Sequence, residues 1–266
     1  MSLAYQCPLC QQTLQLSNKS LRCDNNHTFD YAKEGYVNLL PVQHKNSKQP
    51  GDNLDMVQAR REFLNTGHYH FLQQAIAKLV SEQSPNNVID LGCGEGFYTQ
   101  AIANFCKGEV YGVDISKSAV KYAAKRYQNC QFSVASISQA PFADNQADVL
   151  VSIFAPLFEQ ELGRLASPDA ALIVASPGPW HLKELKQKIY REVNAHTPIP
   201  VPIGFELITQ TLIEQSVRLS FAEVKNLITM TPFAWKFRPE HWQALEQQGE
   251  QNVTLSFYLS HFKKKC

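Results

Sequence analysis

Four residues near the start of the chain have the types and spacing of a metal site. Cys7-Pro8-Leu9-Cys10 is followed by Cys23 and then His27, a C-x2-C-x12-C-x3-H pattern. Thiolates and a neutral imidazole are the ligands that a tetrahedral Zn2+ prefers. Four protein ligands close such a site, which makes it structural rather than catalytic. A redox role for Cys7 and Cys10 fits less well, because no β-α-β pattern follows them. A module this small has little core, so the metal would supply much of its folding energy.

A second motif lies at Val88-Ile89-Asp90-Leu91-Gly92-Cys93-Gly94-Glu95-Gly96, where an apolar strand runs into a glycine-rich turn. Glycines let the backbone take positive φ and approach a ligand closely. The pattern lacks the later glycine of the dinucleotide fingerprint. Asp114 ends the next strand pattern, 18 residues after Gly96. An acid there would accept hydrogen bonds from ribose hydroxyls. Asp90, Gly92, Gly94, Gly96 and Asp114 together suit a nucleoside ligand without a pyrophosphate. S-adenosylmethionine, adenosine with a charged amino-acid tail, has that form.

These residues need elements to hold them. From Asn87 onward, β-branched runs at 88–90, 109–114, 130–135, 147–153 and 170–176 alternate with helical patterns at 96–105, 117–127, 159–166 and 180–194. That alternation predicts an α/β fold with a parallel, Rossmann-like sheet covered on both faces. Before it, apolar residues at three- and four-residue steps predict two helices broken near Thr66-Gly67. After it, Ser220-Phe221-Ala222-Glu223 has capping-box spacing. Arg238-Pro239-Glu240 puts proline at a first helical position, and Val253 to Phe262 reads as a last strand. The division expected is a zinc-binding module over 1–40, a linker with its following helices over 41–84, and a nucleoside-binding domain over 85–266. The stretch 41–53 reads as an exposed loop.

Composition limits the partners. Of 266 residues, 44% are apolar and 18% charged, which excludes a disordered chain. No apolar run approaches the roughly 18 residues of a membrane span, so no membrane partner is expected. Seven cysteines, an odd number, and an opening without a basic-then-apolar leader predict reduced thiols in the cytoplasm. The charge balance of 25 − 24 = +1 excludes nucleic-acid binding by global attraction. Local cations remain at Lys45 and Lys48 beside His44, at Lys183, Lys186, Lys188 and Arg191, and at Lys263 to Lys265. Tyr36, Trp180 and Trp235 lie near them and could stack on splayed bases or belong to the core.

Two further residues stand on their own chemistry. Tyr69 follows the Thr66-Gly67 break and would either cover the amino-acid tail of a donor or pack in the helix hairpin. His181 follows the rigid Pro177-Gly178-Pro179-Trp180 segment after the fifth strand, where functional residues concentrate. A lone histidine is also compatible with a structural role.

The chain resembles the 23S ribosomal RNA (guanine-N1-)-methyltransferase family. The segments that carry the resemblance are CPLC with Cys23 and His27, AKEGYVNLLPVQHK (32–45), PGD (50–52), QARREFL (58–64), GHY (67–69), DLGCGEG (90–96), AAKRY (123–127), PGP-W-HL (177–182) and MTPFAW (230–235). They run over nearly the whole chain. The resemblance implies a zinc module on a Rossmann-like class I methyltransferase domain that acts on a hairpin loop of 23S ribosomal RNA. It implies Zn2+ on Cys7, Cys10, Cys23 and His27, a methyl-donor site lined by Tyr69, Gly94, Glu95 and His181, and a homodimer. Other readings are a small-molecule methyltransferase, an enzyme for a neighbouring guanine linked to macrolide resistance, and an RNA-binding module on a vestigial fold. No residue identifies itself as the base for the N1 proton.

Overall fold

The computed structural model describes residues 3–41 and 53–265. The basic pair Lys45 and Lys48, with His44, lies outside the described residues. Three short strands, β1 (Gln15–Ser17), β2 (Ser20–Arg22) and β3 (Thr28–Asp30), form an antiparallel sheet around the cysteine motif. The fourth, β4 (Tyr36–Asn38), leaves that sheet and pairs in parallel with β7 (Gln131–Val134) of the large sheet.

Two helices follow, α1 (Leu54–Leu64) and α2 (His70–Glu82). Then β5 (Asn87–Leu91), α3 (Phe97–Phe105), β6 (Glu109–Asp114), α4 (Lys117–Arg126) and β7 alternate. They continue as β8 (Ala147–Ile153), α5 (Glu159–Leu165) and β9 (Ala166–Pro177). The chain closes with α6 (Lys183–Lys186), β10 (Phe205–Leu219), α7 (Phe221–Thr229), α8 (Pro239–Gln248) and β11 (Gln251–Lys264).

The large sheet has the order β10-β11-β9-β8-β5-β6-β7-β4. It is parallel from β9 to β4, and β11 runs antiparallel to both β9 and β10. The alternating segments thus form the parallel sheet they predict, and the C-terminal strands β10 and β11 make the whole sheet mixed. The central strands are buried on both faces, because successive side chains point to opposite sides. Val88, Val149, Val151 and Ile173 enter the core beside α2 and α3, whereas Ile89, Leu150, Leu172 and Val174 enter the opposite one. Such a continuous apolar run needs no alternation with polar residues.

The predicted helix over 180–194 is not formed. Only α6 is helical, and it begins at Leu182 in the left-handed region at φ 58°. The chain then folds back, with the His196 N–H donating to the Pro179 carbonyl at 3.0 Å. Pro198, Pro200 and Pro202 follow and exclude a continued helix. The strand β10 carries no clean alternation, so no sequence pattern marks it. The capping box at Ser220 is present, with Glu223 accepting the Ser220 N–H at 2.8 Å. Pro239 opens α8.

The small module is held on the large one by ring packing and backbone bonds. Tyr5 stacks on Phe142 at 5.1 Å, and Phe142 meets Tyr111 edge-on at 5.6 Å. The Gln6 N–H donates to the Pro141 carbonyl at 2.8 Å, and the Leu3 N–H to the Tyr111 hydroxyl at 2.9 Å. Phe142 is fully buried at this junction. Phe142→Ala should cost about 3–5 kcal/mol of stability. Urea unfolding should show it, with faster proteolysis in residues 3–41 before the rest of the chain opens.

Candidate functional site

The cysteine motif closes into a cluster. The Cys7 and Cys23 sulfurs lie 3.4 and 3.5 Å from His27 Nδ1, and the Cys10 and Cys23 sulfurs are 3.6 Å apart. All four donor atoms fall within 4.8 Å of one another. A tetrahedron with Zn–S bonds of about 2.3 Å spaces its sulfurs about 3.8 Å apart, so this donor set fits Zn2+. Local turns build it. The Cys7 carbonyl accepts from the N–H of Gln11 and the Cys23 carbonyl from that of Asn26, both in the left-handed region. The Gln12 backbone N–H beside Cys10 holds its thiol below the usual range, toward the thiolate that a metal binds.

The second site lies at the carboxyl ends of β5, β6, β8 and β9. After Asp90 and Leu91 the chain turns through Gly92, Gly94 and Gly96, all at positive φ, and Gly96 begins α3. At Gly92 a side chain is doubly excluded, since a Cβ would come within 2.6 Å of the Ala155 Cβ. Asp114 ties this turn to the next helix. Its carboxylate accepts from the Gly94 N–H at 2.9 Å and from the Ser116 N–H at 2.7 Å.

Asp90 is buried beneath the turn. One oxygen accepts from the Thr99 hydroxyl at 2.6 Å, and the other has no hydrogen-bond partner among the described residues. Burial pushes its carboxyl up to about 7, with Asp114 adding to the rise. Glu95 is also buried, and Arg60 of α1 reaches to 3.8 Å of it. Two buried carboxylates beside a turn of bare backbone suit a ligand that carries positive charge and approaches closely.

Phe257 of β11 gathers the remaining residues. Its ring lies 5.1 Å from Tyr69, 4.7 Å from His181 and 5.5 Å from Phe154. Tyr69 is buried in the hairpin, edge-on to both Phe63 and Phe257. The Ser256 N–H donates to His181 Nδ1 at 3.3 Å. Burial, with help from Lys186 and His196, lowers the imidazole to about 3. It is therefore neutral, with its proton on Nε2. Gly178 permits this approach, since a Cβ there would lie 2.3 Å from Ser256 Oγ.

The structure thus brings Asp90, Gly92, Gly94, Glu95, Gly96 and Asp114 into one turn, and Tyr69 and His181 onto one ring. Three residues join them that sequence reasoning missed. Arg60 lies in a helical motif that gives no sign of reaching Glu95. Tyr98 follows the glycine turn, and its hydroxyl is buried without a hydrogen-bond partner among the described residues. Phe154 is 45% exposed at the end of β8 and sits in the left-handed region at φ 56°, which costs an aromatic residue about 1–2 kcal/mol. No sequence signal marks a strained φ in a non-glycine residue. Glu159 and Glu161 are engaged elsewhere: Glu159 accepts from the Ile203 N–H at 3.3 Å, and Glu161 binds Arg164 at 2.6 Å. Lys186 is half-buried and bonds His196 at 2.6 Å, so it is not a free cation.

The family model described as RlmA, N-terminal, a zinc ribbon, matches residues 5–48, and one described as a methyltransferase domain matches 82–244. The 23S rRNA (guanine(748)-N(1))-methyltransferase of Streptomyces fradiae is 31% identical over 263 residues, 94% of this chain and 93% of that one. Bacillus subtilis YxjB, provisionally named for 23S rRNA guanine-N1 methylation, is 30% identical over 268 residues, 94% of each chain. A solved geranyl diphosphate methyltransferase in complex with SAM aligns over 82% of this chain and 93% of its own, with a TM-score of 0.46 and 12% identity.

The cluster geometry predicts about one Zn2+ per chain. Cys10→Ser should lower metal content and loosen residues 3–41 while leaving β5 to β9 folded. Metal analysis with hydrogen exchange checks both.

Proposed function

Because the chain belongs to the 23S rRNA (guanine-N1-)-methyltransferase family, we propose that it methylates N1 of a guanine in a hairpin loop of 23S ribosomal RNA, using S-adenosylmethionine. The observation that carries this reading is the site at the carboxyl ends of the strands, where the glycine turn carries two buried carboxylates and Phe154 takes a strained conformation beside Ala155, which packs against Gly92. Bound S-adenosylmethionine supplies a methyl group on a cationic sulfur, an electrophile that needs no further activation.

The protein's part is placement and charge. The bare backbone at Gly92, Gly94 and Gly96 admits the nucleoside. Asp114 would hold the ribose hydroxyls, since each carboxylate oxygen has a second lone pair beyond its bond to backbone N–H. The orphan oxygen of Asp90 and the carboxylate of Glu95 offset the positive charge of the amino-acid tail. Tyr69 and neutral His181, set by Phe257, line the tail's far side. Phe154, held out at the end of β8 by Ala155 against Gly92, offers a face to the acceptor base. Guanine N1 lies on the Watson–Crick edge, so the base must be unpaired to reach it. Loss of the N1 proton to solvent would free an in-plane lone pair on N1 to take the methyl, the C–S bond breaking with its electrons left on sulfur. Neither Glu159 nor Glu161 is assigned that proton.

Zn2+ on Cys7, Cys10, Cys23 and His27 is structural in this reading and keeps the small module in shape against the sheet edge. An RNA substrate also implies the cytoplasm, and no described helix is long and apolar enough to cross a membrane. A homodimer completes the proposal. β10 is a 15-residue edge strand with Leu207, Ile208 and Leu212 exposed, an edge that a second copy would cover.

The direct test is to map methylation on unmethylated 23S RNA incubated with protein and donor. A block to primer extension at one guanine supports the proposal, and RNA without a new mark refutes it. Asp114→Ala should weaken donor binding by about 1.5–3 kcal/mol in calorimetry.

Asp90 predicts a pH dependence. Between about pH 4 and 7 the folded protein holds a proton that the unfolded chain releases. This group therefore stabilises the fold at low pH, and that contribution is lost as pH rises through about 7. A cationic donor favours the ionised form instead. Donor affinity should rise up to about pH 7 and then level off, with proton release seen in buffers of different ionisation enthalpy. Asp90→Asn should abolish that slope.

A further inference from the structure

The proposal here rests on the RNA reading above and extends it to the surface that grips the substrate outside the donor pocket. Trp235 is 79% exposed, the largest exposure of any large apolar side chain among the described residues. It lies in a short helical turn, 234–236, between α7 and α8. Exposed tryptophan concentrates at binding surfaces, because its ring offers a large rigid contact area.

The ring is not isolated. The Lys236 ammonium lies 5.3 Å from the Trp235 ring and 4.2 Å from that of Tyr190, which comes from the segment after α6. A cation is thus held between two aromatic groups from distant parts of the chain, which orders the patch. Among the described residues no carboxylate forms an ion pair with Lys236. Its charge is therefore available to an anionic partner.

The patch is tied to the donor pocket on both sides. Arg60, which faces Glu95, also donates to the Met230 carbonyl at 3.5 Å, at the start of the segment that leads to Trp235. Phe233 of the same segment lies 5.9 Å from Lys186 Nζ, and Lys186 acts electrostatically on His181. Trp235 and Lys236 thus follow directly on a segment, Met230 to Phe233, that touches both Arg60 and Lys186.

We propose that Trp235, Lys236 and Tyr190 form a stacking platform for an unpaired nucleotide beside the target guanine. Trp235 takes the base face and Lys236 the neighbouring phosphate. Unpaired bases are recognised by stacking on aromatic rings, and every base has such a face. An acceptor that must expose its Watson–Crick edge lies in an unpaired stretch, so its neighbours are free to stack. The unpaired cation inside the aromatic cluster favours this occupant over an apolar protein surface.

The test uses the full-length, zinc-loaded protein with Trp235→Ala, Trp235→Phe and Lys236→Gln. It combines methyl transfer to a 23S hairpin transcript with binding of a labelled loop oligonucleotide by fluorescence anisotropy. Trp235→Ala should raise both the KM and the oligonucleotide Kd about 5- to 150-fold, the range expected for one stacked base, while donor affinity holds. It should leave the salt slope of binding unchanged, and Trp235→Phe should recover most of the loss. Lys236→Gln should instead reduce the log–log salt slope by about 0.7. Unchanged KM and Kd in Trp235→Ala overturn the platform. So does a change of that variant's mass in light scattering with RNA binding intact, which would assign the ring to an interface between copies. A wild-type protein that binds the oligonucleotide through Trp235 but transfers no methyl would retain the platform and refute the reaction.

Discussion

A single carboxylate, Asp114, holds the pocket in shape by accepting two backbone N–H bonds from different turns. The Gly94 bond fixes the loop after β5, and the Ser116 bond fixes the start of α4, where Ser116 caps the helix. Charge-assisted bonds to backbone are stronger than neutral ones, so the two turns move as one unit. The bare backbone, the buried Asp90 and the entry of α3 are all arranged around that unit. Gly92 passes close to Ala155, and Phe154 next to it takes a conformation that only glycine adopts without cost.

The strain at Phe154 is offset by packing. Its ring meets Phe257, which also touches Tyr69, Phe71 and His181. Phe257 is fully buried and lies on β11, the strand that runs antiparallel against β9. The last element of the chain therefore completes a pocket whose first elements are α1 and β5. This places folding of the whole domain ahead of a formed site, and it explains why β11 is long and apolar inward although it carries no glycine turn of its own.

The small module obeys a different constraint. It has three short strands and few buried apolar residues, so a metal cluster and the docking of Tyr5 on Phe142 must supply what a core does elsewhere. The parallel pairing of β4 with β7 then makes the end of the module part of the large sheet. Domain division by composition at residue 40 and division by hydrogen bonding do not coincide, because one strand belongs to both.

Features set by local geometry were legible in the sequence. Cysteines three apart, a histidine four residues after Cys23, an apolar run into three glycines, a serine followed by glutamate, and a proline at the start of α8 each carry their structure within a few residues. The glycine turn, the Cys-His cluster and the helix caps follow from such spacing. Features set by burial and long-range contact were not legible. Arg60 reaches Glu95 only because the fold brings α1 beside the glycine turn. Phe154 is strained only because β8 ends against Gly92. The lysine-bearing segment after His181 shows helical spacing, yet it is helical only over 183–186, because Lys186 bonds His196 in a chain that turns back toward Pro179. The long edge strand β10 exists because β11 offers it a partner, not because its own side chains alternate. Spacing decides which conformations a short segment can take. Which of them is kept depends on the free energy of contacts with distant segments, and only the tertiary structure contains those.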